Sequence, residues 1–132
     1  MHPIIQIGHG LAGASFISVA LIWKFGFGEI RHTLSIIGAI SILVANLYFL
    51  RSRQIIRWGK KQTWLKYHQR VASLGLALVF VHSAIQPNAW HSWVAFLLAS
   101  ANFGTGMTVS FTKGKIRKKT LLIHSLLAPV LL

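Results

Sequence analysis

The sequence predicts an all-α membrane protein, a single domain built as a bundle of about five transmembrane helices with a cytoplasmic N-terminus. Three observations predict it. Of 132 residues, 54% are hydrophobic and only 11% are charged, where a soluble domain carries charge on roughly 25%. Fourteen of the fifteen Lys, Arg, Asp and Glu residues are basic, giving a formal charge of +13. That charge sits in two short blocks between long apolar runs. A nucleic-acid binder spreads its charge over a polar surface, so no nucleic-acid partner is expected.

Two absences narrow the chemistry. There is no Cys, which removes disulfides, iron–sulfur clusters, thiolate zinc sites and the covalent attachment of a c-type haem. Glu29 is the only acidic residue, so hydrolysis by paired carboxylates and carboxylate-bridged metals are excluded.

A helix needs about 20 apolar residues to cross the hydrocarbon core. The first span is expected over 4–23, with Pro3 at a tolerated helix-start position. It is not expected to be a cleaved signal peptide, since no Lys or Arg precedes it and its apolar run is longer than a signal's. The second, over 33–50, lies between Arg31 and Arg51. The third, over 66–86, is apolar from Val71 to Ile85 and closed by Pro87; Trp64 to Arg70 lengthen its start. The fourth covers 89–111. The fifth covers 116–132, and from Thr120 to Leu132 it offers 13 residues. That is about 20 Å of helix against a core of ~30 Å, so the last helix is expected to be incomplete or to end within a larger assembly.

Loop charge sets the orientation. Arg51, Arg53, Arg57, Lys60, Lys61, Lys66 and Arg70 lie around the second connection, and Lys113, Lys115, Arg117, Lys118 and Lys119 around the fourth. The first and third connections hold only Lys24, Glu29 and Arg31 between them. The positive-inside rule then places the N-terminus and both basic loops in the cytoplasm, where they also meet anionic lipid headgroups. Trp23, Trp58, Trp64, Trp90 and Trp93 fall near span ends as an interfacial belt. Short loops suit a multi-pass protein of a prokaryotic plasma membrane.

Seven histidines remain: His2, His9, His32, His68, His82, His91 and His124. Histidine within a membrane span marks function by default. His68 and His82 are fourteen positions apart on the third helix, which returns them to within about 40° of one face and separates them by roughly 21 Å. One metal ion cannot bridge that distance. Two haems stacked across the bilayer can each take one of these imidazoles, and Gly75, midway on the same stripe, would let a porphyrin edge approach the backbone. The third and fifth helices run parallel, so His124 matches His68 in depth and can face it across one haem. His9, at a similar depth on the first helix, is the competing partner. His82 has no equal partner on the fifth helix; His32 and His91 are its fallback candidates. Lys66 and Arg70 flank His68 and are candidate partners for haem propionates. Gly104 and Gly106, with Asn102 and Thr105, read as close-packing and hydrogen-bonding positions.

Two histidines with thirteen residues between them on a third helix that reads WLKYHQRVASLG from Trp64 to Gly75, with His124 on a parallel fifth helix, resemble the transmembrane domain of the ferric reductase/NADPH oxidase family. The resemblance implies that the third and fifth helices ligate two b-type haems, His68 and His124 the inner one and His82 one side of the outer one. No Gly-rich phosphate loop or spare length provides that family's flavin or nicotinamide domain. The expected function is therefore a di-haem b-type cytochrome subunit. It would carry electrons across the bilayer between a quinol or donor protein and a partner redox subunit, without being a self-contained enzyme. The alternative is a cofactor-free scaffold subunit of a membrane complex.

Overall fold

The computed structural model describes residues 3–85 and 88–127, with positions 27–29 and 31 described by their backbone alone. His2, Gln86, Pro87 and the residues after 127 lie outside it. The described chain is helical nearly throughout and contains no strand among the described residues. The long helix Pro3–Ser52 breaks at Gly26, whose φ of 73° and ψ of 173° lie in a region open in practice only to glycine. The break divides it into α1 (Pro3–Gly26) and α2 (His32–Ser52). Then follow α3 (Lys61–Ile85), α4 (Trp90–Phe111) and α5 (Gly114–Leu127).

Three of these helices, α1, α2 and α4, are long and apolar enough to cross a membrane. This is fewer than the five spans expected. The difference lies in what α3 and α5 are made of. The first half of α3 carries Lys61, Lys66 and Arg70, and its buried positions are Ser73, Gly75, Leu78 and Ser83. It is the central helix, touching α1, α2 and α4, and a helix wrapped by others need not be apolar all round. The described part of α5 has 14 residues, four of them basic between Lys115 and Lys119.

Contacts fix the helix directions. Gln6 of α1 meets Arg70 of α3, and Gly10 meets Arg70, Ser73 and Leu74. Ala45, Ile42 and Gly38 of α2 meet His68, Gly75 and Leu78 in turn. On α4, Ser110 lies beside Gln69, Phe96 beside Phe80 and Ser92 beside Ser83. Hence α1 runs parallel to α3, while α2 and α4 run antiparallel to it. This is the alternation of the expected weave.

Side chains are sorted inside-out relative to a soluble protein. Ala14, Ser18, Ser41, Ala45, Ser73, Ser83, Ser92 and Ala99 are buried. Large apolar residues such as Phe16, Val19, Ile36, Ile40 and Leu97 are exposed. Between membrane helices, where lipid is as apolar as leucine, small residues that permit close backbone contact supply the packing. Ala14, Ile30, Leu34 and Leu78 form the small apolar core shared by the first three helices.

Gly10 makes the tightest approach. A Cβ there would collide with the Ser73 hydroxyl and the Arg70 carbonyl, whereas Gly8 has nothing within 4 Å. Gly10→Leu is therefore expected to lower the unfolding midpoint in detergent, at a cost of about 1–3 kcal/mol from overpacking, while Gly8→Leu leaves it unchanged. Circular dichroism on heating checks this; equal effects at both sites would contradict the α1–α3 contact.

Candidate metal centre

The structure brings His68 and His124 together. His68, half-buried on α3, points between α2 and α5, and its Nδ1 lies 2.8 Å from the backbone oxygen of Ala45. The Tyr48 ring stacks on it at 5.2 Å between centroids and 29° between planes. His124 reaches from α5 to α4. Its Nδ1 lies 3.0 Å from the Asn102 backbone oxygen and 3.1 Å from the Thr105 hydroxyl. Gly106 makes room for this ring, since a Cβ there would stand 3.0 Å from His124 Cε1.

These bonds determine the tautomers. A carbonyl oxygen only accepts, so Nδ1 must donate in both rings. The hydrogen on Nδ1 leaves Nε2 with its lone pair exposed for ligation. Neither Nε2 makes a hydrogen bond among the described residues. Each carbonyl can serve as acceptor because its second lone pair is not used by the helix. Thr105 donates its own hydroxyl to the Asn102 oxygen at 2.7 Å, tying the same carbonyl to a second group.

The two imidazole centroids are 6.2 Å apart with planes at 77°. Two imidazoles on opposite sides of one ion, each with a metal–nitrogen bond of about 2 Å, place their centroids roughly 6 Å apart. The separation therefore fits one shared ion. A Nδ1–H bonded to a backbone carbonyl is the usual outer-sphere partner of a ligating histidine. Two neutral imidazoles do not complete the four-ligand sphere of zinc or the oxygen sphere of calcium. No group of three or more His, Cys, Asp or Glu occurs among the described residues. Two imidazoles would, however, suffice to hold an iron whose remaining ligands come from a porphyrin. The side-chain oxygen of Asn102 is buried without a partner beside this pair.

Other expected site residues are placed differently. His9 is exposed on α1 and is not brought to His68. His82 is half-buried near the far end of α3, about 21 Å from His68 along the axis. His32 and His91 are exposed; the His91 ring lies edge-on to Trp90 at 6.1 Å. Lys66 is exposed.

Two expectations are corrected. Gly75 does not offer its backbone to a porphyrin edge: a Cβ there would lie 3.0 Å from Ile42 Cγ1 and 3.2 Å from the Gly38 oxygen, so α2 fills that face. Arg70 does not turn toward His68; its Nε donates to Gln6 Oε1 on α1. Two residues along a helix are about 200° apart in direction, which takes Arg70 to the opposite side of α3.

Sequence reasoning named Asn102 and Thr105 as hydrogen-bonding positions, and these are the groups that hold His124. It missed Ala45 and Tyr48. Neither carries a signal in sequence, since a backbone carbonyl is available at every residue and an aromatic in an apolar span is ordinary.

Beside His68, a cleft of about 330 Å³ opens between α2, the 53–60 turn and α3. Tyr48, Trp58, Trp64, Tyr67, Val71 and His68 are among its lining residues, and none of the lining is a Lys, Arg, Asp or Glu. The turn is folded against it. Arg51 donates to the Gly59 oxygen at 2.9 Å, the Trp64 indole donates to the Trp58 oxygen at 3.1 Å, and the two indoles meet edge to face at 4.9 Å.

No protein-family profile, curated protein or solved structure matches this chain.

The tautomers are directly measurable. Histidine ¹⁵N shifts of the cofactor-free chain are expected to show Nδ1 protonated and Nε2 bare in both His68 and His124. Thr105→Val, which removes the hydroxyl's bonds to the Asn102 oxygen and to His124, is expected to cost about 1–2 kcal/mol and, of the two imidazoles, to disturb only His124. Protonated Nε2 in either ring would contradict the ligand geometry.

Proposed function

We propose that this chain is a membrane-embedded b-type haem protein that carries electrons through the bilayer, with His68 and His124 as the residues that would hold one haem. The observation that carries this reading is the pair of imidazoles 6.2 Å apart, each anchored through Nδ1 by a helix carbonyl. The resemblance to the ferric reductase/NADPH oxidase transmembrane domain supports the same ligand pair. His82, at the other end of α3, is the proposed ligand of a second haem.

Bound haem supplies one-electron redox chemistry at its iron. The chain's own groups do the rest. The Ala45 carbonyl orients His68 and keeps Nε2 unprotonated; the Asn102 carbonyl and the Thr105 hydroxyl do so for His124. Tyr48 covers one face of the His68 ring and limits its rotation.

The basic loops bear on orientation. The clusters at 51–70 and 113–119 lie at the same ends of α2, α3, α4 and α5, which supports a cytoplasmic placement of both, with the N-terminus on that side. We read all five helices as embedded, α3 and α5 within the shelter of the others, in a prokaryotic plasma membrane. The chain works in this reading as a subunit that exchanges electrons with donor and acceptor partners, its cationic face resting on anionic lipid.

A reduced-minus-oxidised absorption spectrum of the purified protein is expected to show a b-type signal. His68→Ala and His124→Ala should each remove the haem they share, and His9→Ala should leave it. His82→Ala is expected to lower haem from two to one per chain. A folded, colourless protein that tolerates all four changes would leave the scaffold reading instead.

The absence of native Cys makes orientation separately testable. Single cysteines at positions 53 and 113 are expected to be shielded in intact cells from a membrane-impermeant maleimide, and one at position 88 to be labelled. The reverse pattern would invert the topology.

A further inference from the structure

We infer that the cleft beside His68 binds the ring of a membrane quinone, making a lipid-soluble quinone the small-molecule partner of this protein. Its lining is largely aromatic: Tyr48 from α2, Trp58 from the turn, and Trp64 and Tyr67 from α3. Such walls favour a flat ring, through offset and edge-on contacts. The volume of about 330 Å³ stands near the lower limit of small-molecule pockets, which suits one or two fused rings and not a macrocycle.

Polarity narrows the class further. No charged side chain lines the cleft, and the Arg51 guanidinium beside it is committed to the Gly59 oxygen, so a phosphate or carboxylate would meet no cation in direct contact. The hydroxyls of Tyr48, Thr63 and Tyr67 make no hydrogen bond among the described residues. A quinone ring is apolar apart from two carbonyl acceptors, which these donors can meet. Val44, Leu47 and Tyr67 line the cleft and are exposed, Tyr67 by 59%. The mouth therefore opens sideways, onto the apolar surface of α2, and gives an isoprenoid tail a path into lipid. The 53–60 turn is held in place by the Arg51–Gly59 and Trp64–Trp58 bonds, so the aromatic wall is preformed.

The site shares His68 with the proposed haem pair. The inference rests on that reading for the use to which the ring is put, while the cleft itself stands apart from it.

The test is a fluorescence titration of the full-length protein in detergent with a short-chain ubiquinone, which quenches nearby indoles on binding. Saturable quenching is expected, with affinity lowered at least tenfold by Val71→Phe, which fills the cleft. Thr63→Phe, at an exposed position early in α3, is the second filling variant, and circular dichroism verifies that both remain helical. Linear quenching that is unchanged in both folded variants would overturn the inference, because it reports partition into detergent. Displacement by decanoate as effective as by a second quinone would also overturn it, assigning the cleft to an acyl chain. Haem absorbance recorded on the same samples separates the two readings. A normal haem spectrum without saturable quenching defeats the quinone site alone, and a colourless chain that still binds quinone saturably upholds the site while defeating the haem.

Discussion

Close contact between the backbone of α3 and its neighbours is the constraint on which the remaining structure depends. Gly10 lets α1 rest on the carbonyl of Arg70, and Gly75 lets α3 rest on Gly38 and Ile42 of α2. Only at that distance can the side chain of His68, seven residues before Gly75 on α3, reach the Ala45 carbonyl of α2. The same principle recurs at the other imidazole, where Gly106 admits the His124 ring against α4 and so brings Nδ1 to Asn102. Thus the glycines act on helix packing. They set helix separations, and the helix separations set which carbonyl each imidazole meets.

The environment explains why the buried residues are small and hydroxylic. In hydrocarbon an unsatisfied polar group has no water to fall back on. Ser41, Ser73 and Ser83 resolve this by donating to carbonyls three or four residues earlier on their own helices, and Ser83 also reaches the Ser92 oxygen of α4. These hydroxyls pack tightly and satisfy themselves locally. The large apolar side chains are left for the outer surface, where acyl chains replace a protein core.

Much of this was legible in the sequence, and the reasons are uneven. The apolar runs gave α1, α2 and α4 within a few residues, because a span must be both long and uniform. Depth matching on parallel helices predicted that His124, with His9 as the alternative, would meet His68. The structure selects His124. The helical wheel already holds the direction of Arg70, since two positions along a helix face nearly opposite ways, and nearness in sequence to His68 does not place it on the same side. Gly75 signalled a close approach but not by what. A missing side chain admits a helix as readily as a porphyrin. The composition of α3 was harder to read as a span because its burial comes from other helices, and those neighbours are not visible in its own sequence.

A chemical economy links the charge distribution to the ligand pair. An anionic ligand in hydrocarbon carries a large desolvation cost, and this chain places its one acidic residue outside every candidate ligand position. Imidazole binds a metal while neutral, but its second nitrogen must then lose a water partner on burial. Helix carbonyls solve this without new polar side chains, since each keeps an unused lone pair after accepting its own helical bond. Ala45 and Asn102 supply those acceptors at the cost of nothing but alignment. The alignment in turn requires the rigid, closely packed helices described above. A neutral imidazole, a backbone acceptor and a glycine-mediated contact are therefore one connected arrangement, suited to the proposed ligation where water and carboxylates are both excluded.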